Sequence, residues 1–395
     1  MKIIISGGGI GGLSAALCAM HFGHQVTVLE RARALGEIGA GIQLPPNAMK
    51  VFEALGLDAV LVEAGFRPDA IEARMGKSGF ELFHIPLAEA ALARWGSPYL
   101  HIHRADYIGV LAAALGAKNP DALQLNAELV RYWQDDKAVR AQLADGTQIS
   151  ADVLIGADGI HSPLRAQMAG REAPRFTGNV AWRAVVPVEK LGALAPRPTA
   201  CAWMGAGRHC VTYRLRQGQL ANLVGVVERD DWREESWTQR GAKEDALADF
   251  DGWHPTITGI LDAADALYRW ALFDRAALAT WVDGRVALLG DAAHPMLPFM
   301  AQGAAMAVED AWVVMHQLSA HRQVSAGLAA YQRLRQHRTG KAQAGSRANA
   351  GTFHKATRLE QITTYGPMWL AGKLAPRAVH ARQDWLYGYD VTAQG

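Results

Sequence analysis

Met1-Lys-Ile-Ile-Ile-Ser6 runs straight into Gly7-Gly-Gly9-Ile-Gly-Gly12, and the reading of this stretch decides the fold. Ile3, Ile4 and Ile5 predict a buried strand. Behind the glycines, Leu13, Ala16, Leu17 and Met20 recur at i, i+3, i+4 and i+7, the spacing of one helix face. Gln25-Val-Thr-Val-Leu29 predicts the next strand, with Glu30 at its end and Arg31 beside it. In such a strand–helix–strand unit each glycine has a physical role. Gly7 makes the tight turn, Gly9 lets the backbone approach a pyrophosphate, and Gly12 lets helix and strand pack closely. The free N–H groups and positive dipole end of the helix favour phosphate. Glu30 stands near the spacing of roughly 20 residues expected of an acid that binds ribose hydroxyls. The unit predicts a dinucleotide site, and NAD and FAD fit it equally well.

Bulk properties narrow the class. A chain of 395 residues predicts two or three domains. Its hydrophobic half, 20 % charged residues and net charge of +2 are those of a soluble protein with no global pull toward nucleic acid or acidic membranes. No apolar run approaches the roughly 18 residues of a membrane span, and the opening isoleucines are too few for a signal peptide. Cys18, Cys201 and Cys210 show no metal-ligand spacing. Cys201 and Cys210 could face each other across a hairpin, but reduced core residues suit them better. The expected location is the cytoplasm.

Two more signatures follow. Asp152-Val-Leu-Ile-Gly-Ala-Asp158-Gly159 reads as a buried strand ending in a polar turn, at the strand end where open α/β sheets bind ligands. Arg285-Val-Ala-Leu-Leu-Gly290-Asp291-Ala-Ala-His294-Pro295-Met-Leu-Pro298-Phe-Met-Ala-Gln302-Gly303 reads as a strand, a proline-bearing loop, and the start of an alanine-rich helix over 304–318. That helix start would stabilise negative charge on a ligand.

Taken together, the three motifs resemble the salicylate hydroxylase-like group A flavoprotein monooxygenases, from Lys2 to about Ala330. The resemblance implies an α/β fold: a Rossmann-like FAD-binding domain, an inserted antiparallel-sheet substrate domain and a C-terminal helical region. The implied FAD ligands are Gly7, Gly9, Gly12, Glu30 and Arg31 at the ADP half, Asp158 at the pyrophosphate, Asp291 at the ribitol, and the Pro295–Gly303 loop, with Pro298 and Gly303, beside the flavin ring. Two shorter stretches also match. Gly39-Ala-Gly41-Ile-Gln43-Leu-Pro-Pro46-Asn47 is similar to the loop under the flavin, and Arg104, in His103-Arg104-Ala-Asp106, to an arginine that contacts FAD. The implied activity is hydroxylation of a phenol or hydroxy-heteroaromatic ring with NADH or NADPH and O₂, by way of a flavin C4a-hydroperoxide. With one glycine fingerprint, given to FAD, no Rossmann domain remains for NAD(P)H. A reductase or dehydrogenase without oxygen insertion, and a flavin-carrying protein without turnover, are the alternatives.

The texture changes between the second and third signatures. Residues 179–188, 200–204, 209–215 and 220–228 predict antiparallel strands joined by glycine-containing turns. The expected division is 1–70, 100–175 and 275–325 for FAD, 71–99 and 176–274 for substrate, and 326–395 for the C-terminal helices. His209, Val211 and Tyr213 alternate and share one sheet face. Spacing alone better suits a His and a Tyr satisfied at a sheet surface. The resemblance implies a catalytic pair, His209 taking a phenolic proton and Tyr213 orienting the ring, with Gln43 and Pro298 beside the substrate. Arg183 and Arg214 are candidates for a substrate carboxylate, although Arg214 is out of phase with His209. His294 reads as a loop organiser rather than a base. The basic residues of the tail, Arg333, Arg335, Arg338, Lys341, Arg347, Lys355 and Arg358, predict a solvated helix face rather than a nucleic-acid surface, because no aromatic residues interleave with them. Trp369, Trp385, Leu386 and Tyr387 predict docking onto the body or onto a second copy of the chain.

Overall fold

The computed structural model describes residues 1–36, 41–229 and 239–393. Lys2–Ser6 lies inside a six-stranded sheet of order Val282–Asp283, Val286–Leu288, Val153–Gly156, Lys2–Ser6, Gln25–Leu29, Leu123–Gln124. All neighbours run parallel except the Val282–Asp283 edge. Parallel sheets need cover on both faces, and the apolar residues of the four central strands are buried. The Ile10–His21 helix packs between the helices Arg104–Lys118 and Gly303–Ala320.

The register has one consequence for function. The three sequence signatures sit at the carboxyl ends of three adjacent strands: Ser6 pairs with Gly156, and Gly156 with Leu288. Turns separated by more than a hundred residues in the chain therefore open at one edge of one sheet.

The second large sheet has seven strands, ordered Tyr268–Asp274, Arg175–Pro187, Leu220–Glu228, Arg208–Leu215, Ala200–Gly205, Ala70–Met75, Glu81–Pro86. It is antiparallel except where Ala70–Met75 runs parallel to Ala200–Gly205. Alternation divides its residues cleanly. Trp182, Trp203, Cys210 and Leu223 pack against one another and against the helices Lys243–Asp249 and Pro255–Ala263. On the opposite face, Ala181, Val226 and Trp270 pack against Leu297 and Phe299 of the loop after Asp291. The three cysteines are free and buried. Cys201 lies opposite Thr212 and Cys210 opposite Trp203, so the two do not face each other.

The tail corrects one expectation. Two basic residues of the helix Val324–Phe353 are buried, whereas Arg333, Lys341 and Arg347 are exposed as expected. Arg335 is fully buried, its Nε 2.7 Å from Asp310 and its second nitrogen 2.6 Å from Glu309. Arg338 donates to both Glu309 oxygens at 2.7 Å and to the carbonyls of Trp385 and Leu386. Composition cannot distinguish a solvated arginine from one whose charge is paired inside. Here two acids of the Gly303–Ala320 helix pair with it, and a buried charge is tolerated only with such a partner. Leu386 and Tyr387 dock on the body beside Trp95 and Tyr99.

Candidate active site

The glycine turn behaves as its spacing demands. Gly7 has φ +109°, and a Cβ there would lie 2.4 Å from the Ala157 carbonyl oxygen. A Cβ on Gly12 would sit 1.9 Å from the Gly7 oxygen, so Gly12 is where helix and strand touch. A Cβ on Gly9 meets nothing within 4 Å, because it points into open space. The Glu30 carboxylate turns back on the loop and accepts from the Gly8 N–H at 2.6 Å and the Ala32 N–H at 2.8 Å.

That open space is a cleft of about 590 Å³. Gly7, Gly9, Glu30, Arg31, Arg104, Asp158, Asp291 and Gly303 all line it. Gly12 and Pro298 do not; Gly12 lies in the packing behind, and Pro298 is exposed at the start of the Pro298–Met300 turn. Gly39 and Ala40, in the loop expected under the flavin, lie outside the described residues.

Two acids on the wall show what the cleft is built to receive. Both carboxylate oxygens of Asp158 are buried and have no hydrogen-bond partner among the described residues. Burial pushes this carboxyl up to about 6, with Ser162 and Arg31 pulling the other way. Asp291 faces the open cleft within a deep concavity. The desolvation raises its pKa, opposed by the charges of His294 and Arg104. Unpartnered acids beside a helix N-terminus suit a ligand rich in hydroxyls and amides at one end and phosphate at the other. FAD is such a ligand, and the bare cradle at Gly9 leaves room for its pyrophosphate.

The loop from Gly290 to Gln302 is held from behind. Asp310 accepts from the Gly290 N–H and pairs with the His294 Nε2 at 2.5 Å. Burial alone would raise the Asp310 carboxyl, but His294 and Arg335 overcome that and hold it at about 2. His294 thus faces into the protein as a loop organiser. Gln343, Ser346 and Asn349 of the C-terminal helix donate in turn to the carbonyls of Pro295, Leu297 and Phe299. Three polar side chains at steps of three hold alternate carbonyls of the loop. Sequence reading missed them, although that spacing on an alanine-rich helix was a visible signal.

His209 and Tyr213 share the inner sheet face but do not line the cleft, which ends on that face at Arg183, Tyr268 and Trp270. Four residues of strand separate them by about 13 Å, with Val211 between. His209 is 2 % exposed and packed against the rings of Phe299 and Phe353 at 5.1 and 5.0 Å. Burial first, and the neighbouring His354 second, lower its pKa well below the usual histidine value, so the ring is neutral. Tyr213 packs 4.7 Å from the ring of His101 and directly against Gly41. Burial raises its hydroxyl, with the charge of Arg183 opposing. Arg183 stacks over Trp270 at 4.3 Å, whereas Arg214 turns away and donates to the Pro196 carbonyl. The Gln43 amide oxygen accepts from the Tyr99 hydroxyl. His101, which sequence reading passed over, is fully buried and pushed down to about 3 by that burial.

Glu72, Glu81 and His84, which no sequence spacing singled out, come within metal-ligand reach of one another. Arg74 donates to both carboxylates, so the cluster already holds a cation of its own.

The profile of the FAD binding domain family matches residues 1–346. The chain is 35 % identical over 395 residues to a 6-hydroxynicotinate 3-monooxygenase of Bordetella bronchiseptica, covering 100 % of this chain and 96 % of that one. It is 37 % identical over 391 residues to a 3-hydroxybenzoate 6-hydroxylase of Aquipseudomonas alcaligenes, covering 99 % and 98 %. The chain belongs to the FAD-dependent aromatic monooxygenases. In three dimensions it is similar to Klebsiella pneumoniae HpxO complexed with FAD and uric acid, with a TM-score of 0.86, 27 % identity, and coverage of 98 % and 97 %. FAD is therefore the cofactor, NAD(P)H the reductant, and a small aromatic compound and O₂ the substrates. The reductase and non-catalytic alternatives give way to the monooxygenase reading.

Proposed function

We propose that this enzyme hydroxylates an aromatic acid that also carries a ring hydroxyl, of the hydroxybenzoate or hydroxypyridine-carboxylate class, and that His209 is the base. The observation that carries the proposal is a neutral, buried histidine on the sheet face beside Phe299 of the flavin loop. The compounds for which the two relatives are named, 6-hydroxynicotinate and 3-hydroxybenzoate, support the class, since both join a hydroxyl to a ring carboxylate.

Bound FAD supplies the reducing and oxygen chemistry. The chain's own residues then have separate roles. Gly7, Gly9, Glu30, Arg31, Arg104, Asp158, Asp291 and Gly303 hold the cofactor, with Gly12 and Pro298 shaping its surroundings. His209 accepts the phenolic proton at Nε2, which makes the ring electron-rich. Tyr213 orients the ring from the other side of Val211, with Gln43 supporting that end. Arg183 is better placed than Arg214 for the carboxylate, because it lines the cleft. Phe299 and Phe353 exclude water from His209.

The domain division follows the two sheets: 1–70, 100–175 and 275–325 for cofactor, 71–99 and 176–274 for substrate, 326–395 for the C-terminal helices. Among the described residues no helix is long and apolar enough to cross a membrane. Three free buried cysteines support a reducing cytoplasmic location. A second copy of the chain is the candidate protein partner, supported by Leu359, Ile362, Leu370 and Leu374 exposed along one helix; sedimentation would test it. The near-zero net charge supports a function without nucleic acid.

The deciding experiment measures NADH and NADPH oxidation with 3-hydroxybenzoate, salicylate and 6-hydroxynicotinate, with product identification. An oxygenated product from at least one is expected. NAD(P)H oxidation that no hydroxyaromatic acid stimulates would reject the proposal.

A further inference from the structure

His209 does not stand alone. Its Nδ1 lies 2.6 Å from the Nε2 of His354, and the Nδ1 of His354 lies 2.8 Å from the Oε1 of Glu228. The two histidines are buried, at 2 % and 7 % exposure, while the Glu228 side chain is 56 % exposed. Two paired strands and the end of a helix 126 residues beyond Glu228 thus join a buried ring to the solvent through two short hydrogen bonds. Among the described residues, neighbouring polar groups have partners of their own. The Tyr365 hydroxyl donates to the carbonyls of Thr352 and Phe353, Arg208 donates to the Asp249 carbonyl, and Arg229 pairs with the Asp249 carboxylate.

The chemistry of the three groups fixes the direction. A carboxylate only accepts, so His354 carries its proton on Nδ1 and presents a lone pair at Nε2. That lone pair needs a donor, so His209 carries its proton on Nδ1. His209 Nε2, to which no described residue hydrogen-bonds, is then the basic nitrogen. Had the chain ended in a donor, both tautomers would be reversed and His209 would offer an N–H to a phenol instead of accepting its proton.

We propose that Glu228 and His354 are positioning residues which set His209 in its basic tautomer and carry the substrate's phenolic proton to solvent. The transfer balances. The phenol O–H bond breaks and a His209 Nε2–H bond forms; the His209 Nδ1 proton passes to His354 Nε2. The His354 Nδ1 proton passes to Glu228, which releases it to water. Phenolate remains at the site, and no charge is left on the buried rings. The proposal rests on reading His209 as the base.

The test separates the two ideas. Histidine ¹⁵N spectra of the FAD-loaded enzyme report tautomers directly, with signals assigned by their loss in His209→Gln and His354→Gln. Both rings should carry the proton on Nδ1 in the wild type. His209 found protonated on Nε2, or doubly protonated, overturns the proposal even if His209 proves essential. Because Glu228 is exposed, its variants should fold. Glu228→Leu should release the tautomer lock and slow hydroxylation of 3-hydroxybenzoate or 6-hydroxynicotinate by about 10- to 100-fold, less than the 10²–10⁴ of losing a base, with KM unchanged. Glu228→Gln, whose amide oxygen still accepts, should keep the tautomer but remain slow for want of a proton sink. Glu228→Asp should restore turnover in part. Unaltered spectra in Glu228→Leu would overturn the tautomer control, and wild-type turnover in both Leu and Gln variants would overturn the transfer. Normal hydroxylation by His209→Ala would instead reject the base assignment and leave the spectra to decide the hydrogen-bonded chain.

Discussion

At the cofactor cleft, backbone does most of the work. Gly7, Gly9, Gly290 and Gly303 bring main chain to the cleft, and Glu30, Asp158 and Asp291 each stand just after a strand of the parallel sheet. The inner face of the seven-stranded sheet is built otherwise. There His209, Glu228, Phe299 and His354 come from four separate segments, and their side chains meet one another. A site made by local turns is written contiguously in the chain. A site made by side chains from distant elements exists only after the elements have packed. The two regions should therefore fail differently when altered.

The largest expected effect is at Gly9. Gly9→Val should fold normally, since nothing lies within 4 Å of its Cβ, yet lose FAD and its yellow colour. Gly12→Val should fail to fold, because its Cβ would strike the Gly7 oxygen. Circular dichroism and flavin absorbance separate the two. If Gly9→Val holds FAD at full stoichiometry, the backbone-built view of the cleft breaks.

His209→Ala should spare FAD binding and slow hydroxylation by roughly 10²–10⁴. A phenol with a pKa near 10 is mostly protonated at neutral pH, so part of the rate should return at high pH, where solvent removes the proton. Product formed per NAD(P)H consumed, measured across pH, is the readout. Normal product yield at pH 7 would move the base elsewhere.

Asp291→Ala should bring a smaller loss, confined to the cofactor. A charge-assisted hydrogen bond to a flavin ribitol hydroxyl is worth about 1.5–3 kcal/mol, or roughly 10- to 150-fold in affinity. Flavin titration checks it; unchanged affinity would give Asp291 a structural role only.

Asp158→Asn should produce the smallest change, and it runs opposite to the usual cost of mutation. The Asp158 carboxyl is raised to about 6 in the folded protein, above the unfolded value near 3.9. Its contribution to stability is thus full below about pH 4 and declines as pH rises to about 6, because the unfolded chain ionises first. Asparagine does not titrate. FAD-free Asp158→Asn should match the wild type near pH 4 and exceed it above pH 6, by about 1–3 kcal/mol. Thermal melts across pH 4–8 test this. A constant difference at all pH values would mean that Asp158 is not desolvated in the empty cleft.

Much of the molecule was legible before folding. The strand–glycine–helix unit, the Asp158 and Asp291 turns and the four strands between 179 and 228 follow from short-range pattern, and the observed elements lie within a few residues of them. The basic tail was misread at two positions. Arg335 and Arg338 carry the same sequence signal as solvated arginines, and only the packing of their helix against Glu309 and Asp310 makes them core residues. His354 carried no signal either, as an isolated histidine 145 positions from His209.

The amino-acid sequence by itself determined the cofactor end of this protein, because turns, helix starts and strand alternation are set by neighbours along the chain. Only tertiary structure decided which of the fourteen histidines would be buried, neutral and joined to solvent through a carboxylate. The physical reason is desolvation: a side chain's proton affinity depends on what displaces water around it. Around His209 that displacement is made by Phe299, Phe353 and His354, brought from elsewhere in the chain.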